Sequence, residues 1–234
     1  MATNYGFRLF ILSLIVCAGL AITARAGENS LEKGAWALQF QVVQNFQLAS
    51  FQGSTISIKK HTSDGTALRA GVSISLSLED TDRTVTMNDT VGQSEDVDDN
   101  MTSFGLVVQM IKYPSPSAAT NLYYGIGPIF TYSHSKDYGV IEDPIHGDTR
   151  SNDRKWTRWS TGVSTVVGIE WFPGSNISLL AEYNVSLYYE HYNFTLKTRR
   201  SSPERPERTT GSETNTDGFV LEGSSVKFGL SVYF

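Results

Sequence analysis

The sequence predicts an all-β chain: an eight-stranded antiparallel up-and-down transmembrane β-barrel with short periplasmic turns and three long extracellular loops. Three observations carry this expectation. Eight segments alternate apolar and polar residues at period 2, the spacing at which strand side chains reach opposite faces. Several run well past the roughly 5–6 residues usual for strands of soluble sheets, and reach the roughly 9–11 that a tilted strand needs to cross a bilayer. The last segment sets Val226, Phe228, Leu230, Val232 and Phe234 against Lys227, Gly229, Ser231 and Tyr233. An apolar face beside a face of small and polar residues suits a strand between lipid and a narrow lumen.

The elements follow in order. Residues 1–26 read as a secretory signal peptide: Arg8 gives the basic start, Leu9 to Leu20 the apolar stretch, and Ala24-Arg25-Ala26 the small-x-small cleavage site. Residues 27–234 are then the barrel domain. Strand one is expected from about Gly34 to Gln47, strand two from Ser54 to His61, strand three from Ala67 to Glu79, and strand four from Thr102 to Lys112. Strand five covers Leu122 to His134, strand six Trp156 to Phe172, strand seven Asn176 to Phe194, and strand eight the C-terminal segment.

The connections set the orientation. Thr62 to Thr66, Tyr113 to Ser117 and Pro173 to Ser175 are short, whereas polar stretches of roughly 20–30 residues follow strands three, five and seven. Such alternation of short and long matches periplasmic turns at one end and extracellular loops at the other. Trp36, Tyr113, Trp171, Phe172 and Phe234 gather at one set of strand ends, and Tyr132, Trp156, Trp159 and Tyr189 at the other, as interfacial girdles do. Pro173-Gly174-Ser175 reads as a three-residue loop with Phe172 facing Asn176, which sets Arg158 beside Glu190 and Val166 beside Glu182. The Pro-broken, charged run Arg199 to Arg208 reads as mobile.

On strand number, loop alternation and the ending Lys227, Gly229, Val232 and Phe234, the chain resembles the OmpA/OmpX-like eight-stranded outer-membrane barrels. The ending itself resembles their C-terminal assembly signal. The resemblance implies an integral outer-membrane protein, exported through the periplasm, with outer-membrane lipids, lipopolysaccharide and the barrel assembly machinery as partners. A monomer is expected.

Composition narrows the functions. Cys17 is the only cysteine and leaves with the signal, so the remainder forms no internal disulfide. Beyond residue 26 there are 17 Lys and Arg against 24 Asp and Glu, a net charge of −7, which argues against a nucleic-acid partner. No His or Cys pair has metal-ligand spacing, and no His-x-Ser motif of lipid A deacylases is present at His134 or His191. No catalytic, cofactor or metal residue is therefore assigned. The inward positions carry Lys59, Arg69, Glu79, Arg158, Glu170, Glu182, Glu190 and Lys227, expected to form a structural ion-pair network that plugs the lumen. Lys227 is the expected partner of Glu182. The function read from these residues is a non-enzymatic barrel that stabilises the envelope or presents surface loops. A lipid-modifying enzyme or narrow channel is the alternative.

Overall fold

The computed structural model describes residues 30–47, 52–87, 90–116, 119–143, 148–203 and 205–234; within these strands the side chains of 44–47, 52, 78–87, 90–99, 142–143, 148 and 205 are not described. The expected signal peptide, residues 1–26, lies outside them. Period-2 alternation yields nine strands among the described residues: β1 (Trp36–Gln47), β2 (Gln52–Ser63), β3 (Thr66–Met87), β4 (Thr90–Lys112), β5 (Thr120–Asp143), β6 (Asp148–Gly174), β7 (Ile177–Ser202), β8 (Arg205–Gly223) and β9 (Lys227–Tyr233). Neighbours in sequence pair antiparallel from β1 to β7, and β9 closes the ring between β7 and β1. The ring has eight places, and its last place is shared. β9 pairs with the lower end of β7 at Ile177 to Glu182, and β8 with its upper part, Val185 to Ser202. At the break between them the Ser224 amide donates to the Asn184 carbonyl at 2.8 Å, so the backbone stays satisfied.

The three expected long loops are long hairpins instead. β3 and β4 stay paired as far as Met87 and Thr90, and β5 and β6 as far as Asp143 and Asp148. The run read as mobile ends β7 and begins β8, with Arg199 Nε 2.6 Å from Glu207 Oε1. Of its two prolines, Pro206 lies in β8 and is tolerated because, among the described residues, β8 pairs only with β7, and an edge strand can lack an amide on its free side. These extensions hid from the apolar–polar pattern because their sequences carry polar residues at both parities, as in Glu79-Asp80-Thr81-Asp82-Arg83.

Wall height is uneven. β1 and β2 are 12 residues each, whereas β3 to β7 run from 22 to 27. Pairing of β2 with β3 stops at Ile56–Val72, and that of β1 with β9 at Val43–Lys227. Above that height β3 to β8 form an open, six-stranded wall whose two edge strands have no outer neighbour among the described residues. Unpaired strand edges are untenable in hydrocarbon, so this wall belongs above the bilayer.

Below it the outward face is apolar all round: Leu38, Ile56, Leu68, Leu122, Val167 and Phe228 are each at least half exposed. On β6 this belt runs from Trp171 to Trp159, about 12 residues, which at about 3.3 Å per residue and about 40° of tilt spans roughly 30 Å, one hydrocarbon thickness. Two girdle assignments fail at the short-turn end, and that of Trp156, which has inward parity, fails at the other. Tyr113 and Phe172 are 3% exposed and point into the lumen; Phe172 has the same parity as inward Glu170, and the alternation continues through it.

The turn between β6 and β7 also differs from expectation. Gly174 pairs with Ile177 and Trp171 with Leu179, with a register shift between them. The irregularity near Pro173 moves the strands by two residues, so Arg158 faces Tyr192, Val166 faces Asn184 and Gly168 faces Glu182. A shift of two keeps every side chain on its expected face. At the β2–β3 turn the expected five-residue connection tightens to Asp64-Gly65, where Gly65 has φ +96° and a Cβ would come 2.9 Å from the Tyr113 carbonyl.

Candidate functional site: a two-storey lumen

The lower storey is built from side chains that reach across the ring. Lys59 of β2 extends to Glu170 of β6, with Nζ 3.0 Å from Oε2 and 3.2 Å from Oε1. The Tyr113 and Tyr233 hydroxyls donate to the same carboxylate at 2.6 and 2.7 Å, and Ser178 Oγ adds a further donor. Lys59 Nζ also donates to Tyr113 at 2.8 Å and lies 5.0 Å from the Tyr233 ring centroid. Lys59 and Glu170 are 1% and 0% exposed. Removing two charges from water costs several kcal/mol each, and only close pairing with the remaining lone pairs satisfied offsets it. Here both conditions are met.

A second layer sits just above. Arg69 of β3 pairs with Glu182 of β7 at 2.7 Å, and Tyr123 donates to Glu182 at 2.8 Å. Arg69 also donates to Gln109 at 2.6 Å. Gly168 makes room for this tyrosine: a Cβ there would come within 2.5 Å of the Tyr123 hydroxyl. Below the first layer, Leu31 packs with Phe172, Tyr113 and Tyr233 at the mouth that carries the short turns. The leading segment is held there by Lys33 N to Asp64 at 2.9 Å and Gly34 N to the His61 carbonyl at 2.9 Å. His61 lies between the Tyr113 and Tyr233 rings, with centroids 5.6 and 6.0 Å away.

The upper storey is different in kind. It is a cavity of about 490 Å³ lined by ten serines, two threonines, Gln41, Gln109 and Asn184, with Arg69, Glu182 and Lys227 at its base. Arg158 and Glu190 stand higher, 2.6 Å apart, with side chains 46% and 17% exposed. Glu222 accepts a hydrogen bond from Tyr188. Arg158 reaches water, whereas Glu190 is shielded at Oε2.

Of the eight network residues, seven have described side chains, and they form three pairs with Lys227 left over. Glu79 lies in β3 opposite Asp99, and its side chain is not among those described. The expected Lys227–Glu182 pair is overturned. The two are register partners, but Arg69 takes the carboxylate from across the lumen. Arg158–Glu190 forms as a diagonal pair. Along the final strand, Gly229 faces Gln41 and Val232 faces Leu38, while the Phe234 amide donates to Trp36 at 3.0 Å. The tyrosines of the lower storey had a sequence signal: Tyr123 and Tyr233 hold inward parity. Leu31 had none, since it precedes the first alternating segment.

Outside the ring, Tyr132, Trp159 and Tyr189 mark the outer rim with Phe219, which packs on Tyr189 at 5.6 Å. Trp156 has the inward parity of Arg158 and packs at a tilt against Tyr192, with ring centroids 6.2 Å apart. His191 stacks on Trp159 and is 2.6 Å from Asp217; that bond holds the exposed Asp217 carboxyl below its ordinary value. His134 Nδ1 is 3.1 Å from Thr157, and His146 lies outside the described residues. Among the described residues no three His, Cys, Asp or Glu side chains cluster as metal ligands do. The acidic run Glu95 to Asp99 lies in β4, its side chains beyond those described.

No family model and no curated protein matches the chain. Among solved structures, a major outer membrane protein from Thermus thermophilus is similar over 86% of this chain and 99% of its own, at 15% identity and a TM-score of 0.38. CarO of Acinetobacter baumannii is similar over 88% of this chain and 100% of its own, at 8% identity and a TM-score of 0.39.

Proposed function

We propose that this chain is an integral outer-membrane β-barrel without enzymatic activity, closed to passive conduction, that presents a polar cup and tall hairpins to the exterior. The observation that carries this reading is the inversion of polarity across the wall. Val167 and Leu122 are 63% and 67% exposed on the outside, while Lys59 and Glu170 are 1% and 0% exposed within. Water on the outside would make that arrangement costly, whereas lipid outside makes it the expected one. Closure is supported by the stacked Lys59–Glu170 and Arg69–Glu182 layers and by Leu31 beneath them. Outer-membrane lipids, lipopolysaccharide and the assembly machinery are the partners this reading implies, with a monomer as the working unit.

The test is planar-bilayer conductance of the refolded barrel beside fractionation of cells. Membrane recovery with no steady conductance is expected. Stable ohmic steps through the wild-type barrel would contradict closure, and recovery in the soluble fraction would contradict insertion. The enzyme reading has one observation in its favour, the His191–Asp217 pair at the outer rim. If that pair acted on lipid, Asp217→Asn would abolish a mass change that the wild type produces in outer-membrane lipid; no mass change is expected from either protein.

A further inference from the structure

We propose that the cup binds a small hydroxylated carboxylic acid, of the sugar-acid class, with its carboxylate on the cup floor. This rests on the outward-open, periplasm-closed reading above. The floor carries more positive charge than it uses: Glu182 already holds Arg69 and the Tyr123 hydroxyl. Lys227 faces the same space, and among the described residues it makes no ion pair or hydrogen bond. Two cations thus face one carboxylate.

Unmet donors gather at the same level. The Gln41 amide lies beside the Glu182 carboxylate, and Asn184 Nδ2 and Arg69 Nε are buried without a hydrogen-bonded acceptor. Their residues are 2%, 8% and 3% exposed, and all three line the cup. Gln41 and Asn184 lie two residues along from Val43 and Glu182, the register partners of Lys227 on either side. Buried N–H groups without acceptors are costly, and beside a spare ammonium they call for an anionic oxygen acceptor.

The wall and rim narrow the ligand. Serine and threonine hydroxyls both donate and accept, which matches a hydroxylated skeleton. Glu222 at the rim makes no ion pair among the described residues, so a second acidic group there would meet repulsion. The cavity of about 490 Å³ falls within the size of small-molecule sites. A mono-acid with several hydroxyls fits each of these features.

The test is calorimetric titration of the refolded full-length barrel in micelles with glucuronate, glucose and acetate. Glucuronate should bind saturably, and glucose and acetate about tenfold more weakly or worse, since each lacks one half of the recognised chemistry. Lys227→Gln should bring glucuronate down to the glucose level. Because Lys227 also lies in the expected assembly segment, Asn184→Leu supplies an independent loss, and heat-modifiable migration verifies that both variants are folded. Absence of saturable glucuronate binding to the folded wild type overturns the proposal, as does equal binding by folded Lys227→Gln. Acetate binding as tightly as glucuronate overturns the sugar-acid assignment. A folded, non-conducting barrel that fails to bind sinks the cup assignment alone, whereas a conducting barrel sinks the closed-lumen reading whatever it binds.

Discussion

The two storeys of the lumen are made by the same strands with the same alternation, yet they solve opposite problems. In the lower one, Glu170 receives Lys59, Tyr113, Tyr233 and Ser178 and leaves no exposed surface. In the upper one, Glu190 meets Arg158 alone, at 2.6 Å, with nearly half the arginine in water. Side-chain size decides which storey forms. Long Lys, Arg, Glu and Tyr reach across a narrow ring and must satisfy one another, whereas serines leave a space that water can fill. A charge is therefore structural in one place and expendable ten residues further along β7, where Glu190 stands beyond Leu180, the register partner of Glu170.

That contrast is tested first by truncation. Glu170→Ala leaves Lys59 buried without its carboxylate and should cost about 3–5 kcal/mol, read as a shift of the urea refolding midpoint or as failure to refold. Next in size is the lipid face: Val167→Arg, between the two aromatic rims, should cost about 2–4 kcal/mol, against about 0–1 for arginine beside Trp159. Equal cost at the two positions would contradict the placement of the bilayer. Glu190→Ala in the cup should cost about 1 kcal/mol or less, because Arg158 keeps its hydration. A loss there as large as at Glu170 would mean that the cup is as dry as the layer beneath it.

The smallest effect concerns the outer wall. The Arg199–Glu207 and His191–Asp217 bonds hold both exposed carboxyls below their ordinary values. A carboxyl depressed in the folded state contributes stability that is present above its unfolded pKa and is lost as pH falls through the folded one. Amide exchange at the β7–β8 tip should therefore quicken as pH drops through the ordinary carboxylate range and below it, after correction for intrinsic exchange, while the lower storey stays protected. Unchanged tip protection across that window would remove these bonds from the account.

Much of the ring was legible because lipid and lumen impose period 2 on every crossing strand. Val163, Val167 and Ile169 fell outward and Ser164, Gly168 and Glu170 inward as alternation required. Strand ends were not legible, since above the bilayer both faces of β3 to β8 are polar and nothing distinguishes hairpin from loop. Leu179, for instance, pairs with Trp171 close to the β6–β7 turn. Of the ion pairs, Arg158–Glu190 could be read because its strands are neighbours. Lys59–Glu170 and Arg69–Glu182 join β2 to β6 and β3 to β7 across the lumen, where no sequence register connects them. Lys227 was misassigned for the same reason: adjacency suggested Glu182, and reach across the ring gave that carboxylate to Arg69.

The most direct test of the two-storey lumen is labelling of single cysteines in the folded barrel by a membrane-impermeant thiol reagent. Ser133→Cys faces the cup and Ser178→Cys lies at 0% exposure against Glu170. Rapid labelling at 133 with none at 178 until the barrel is unfolded is the expected result; comparable labelling at both positions in the folded state would contradict it.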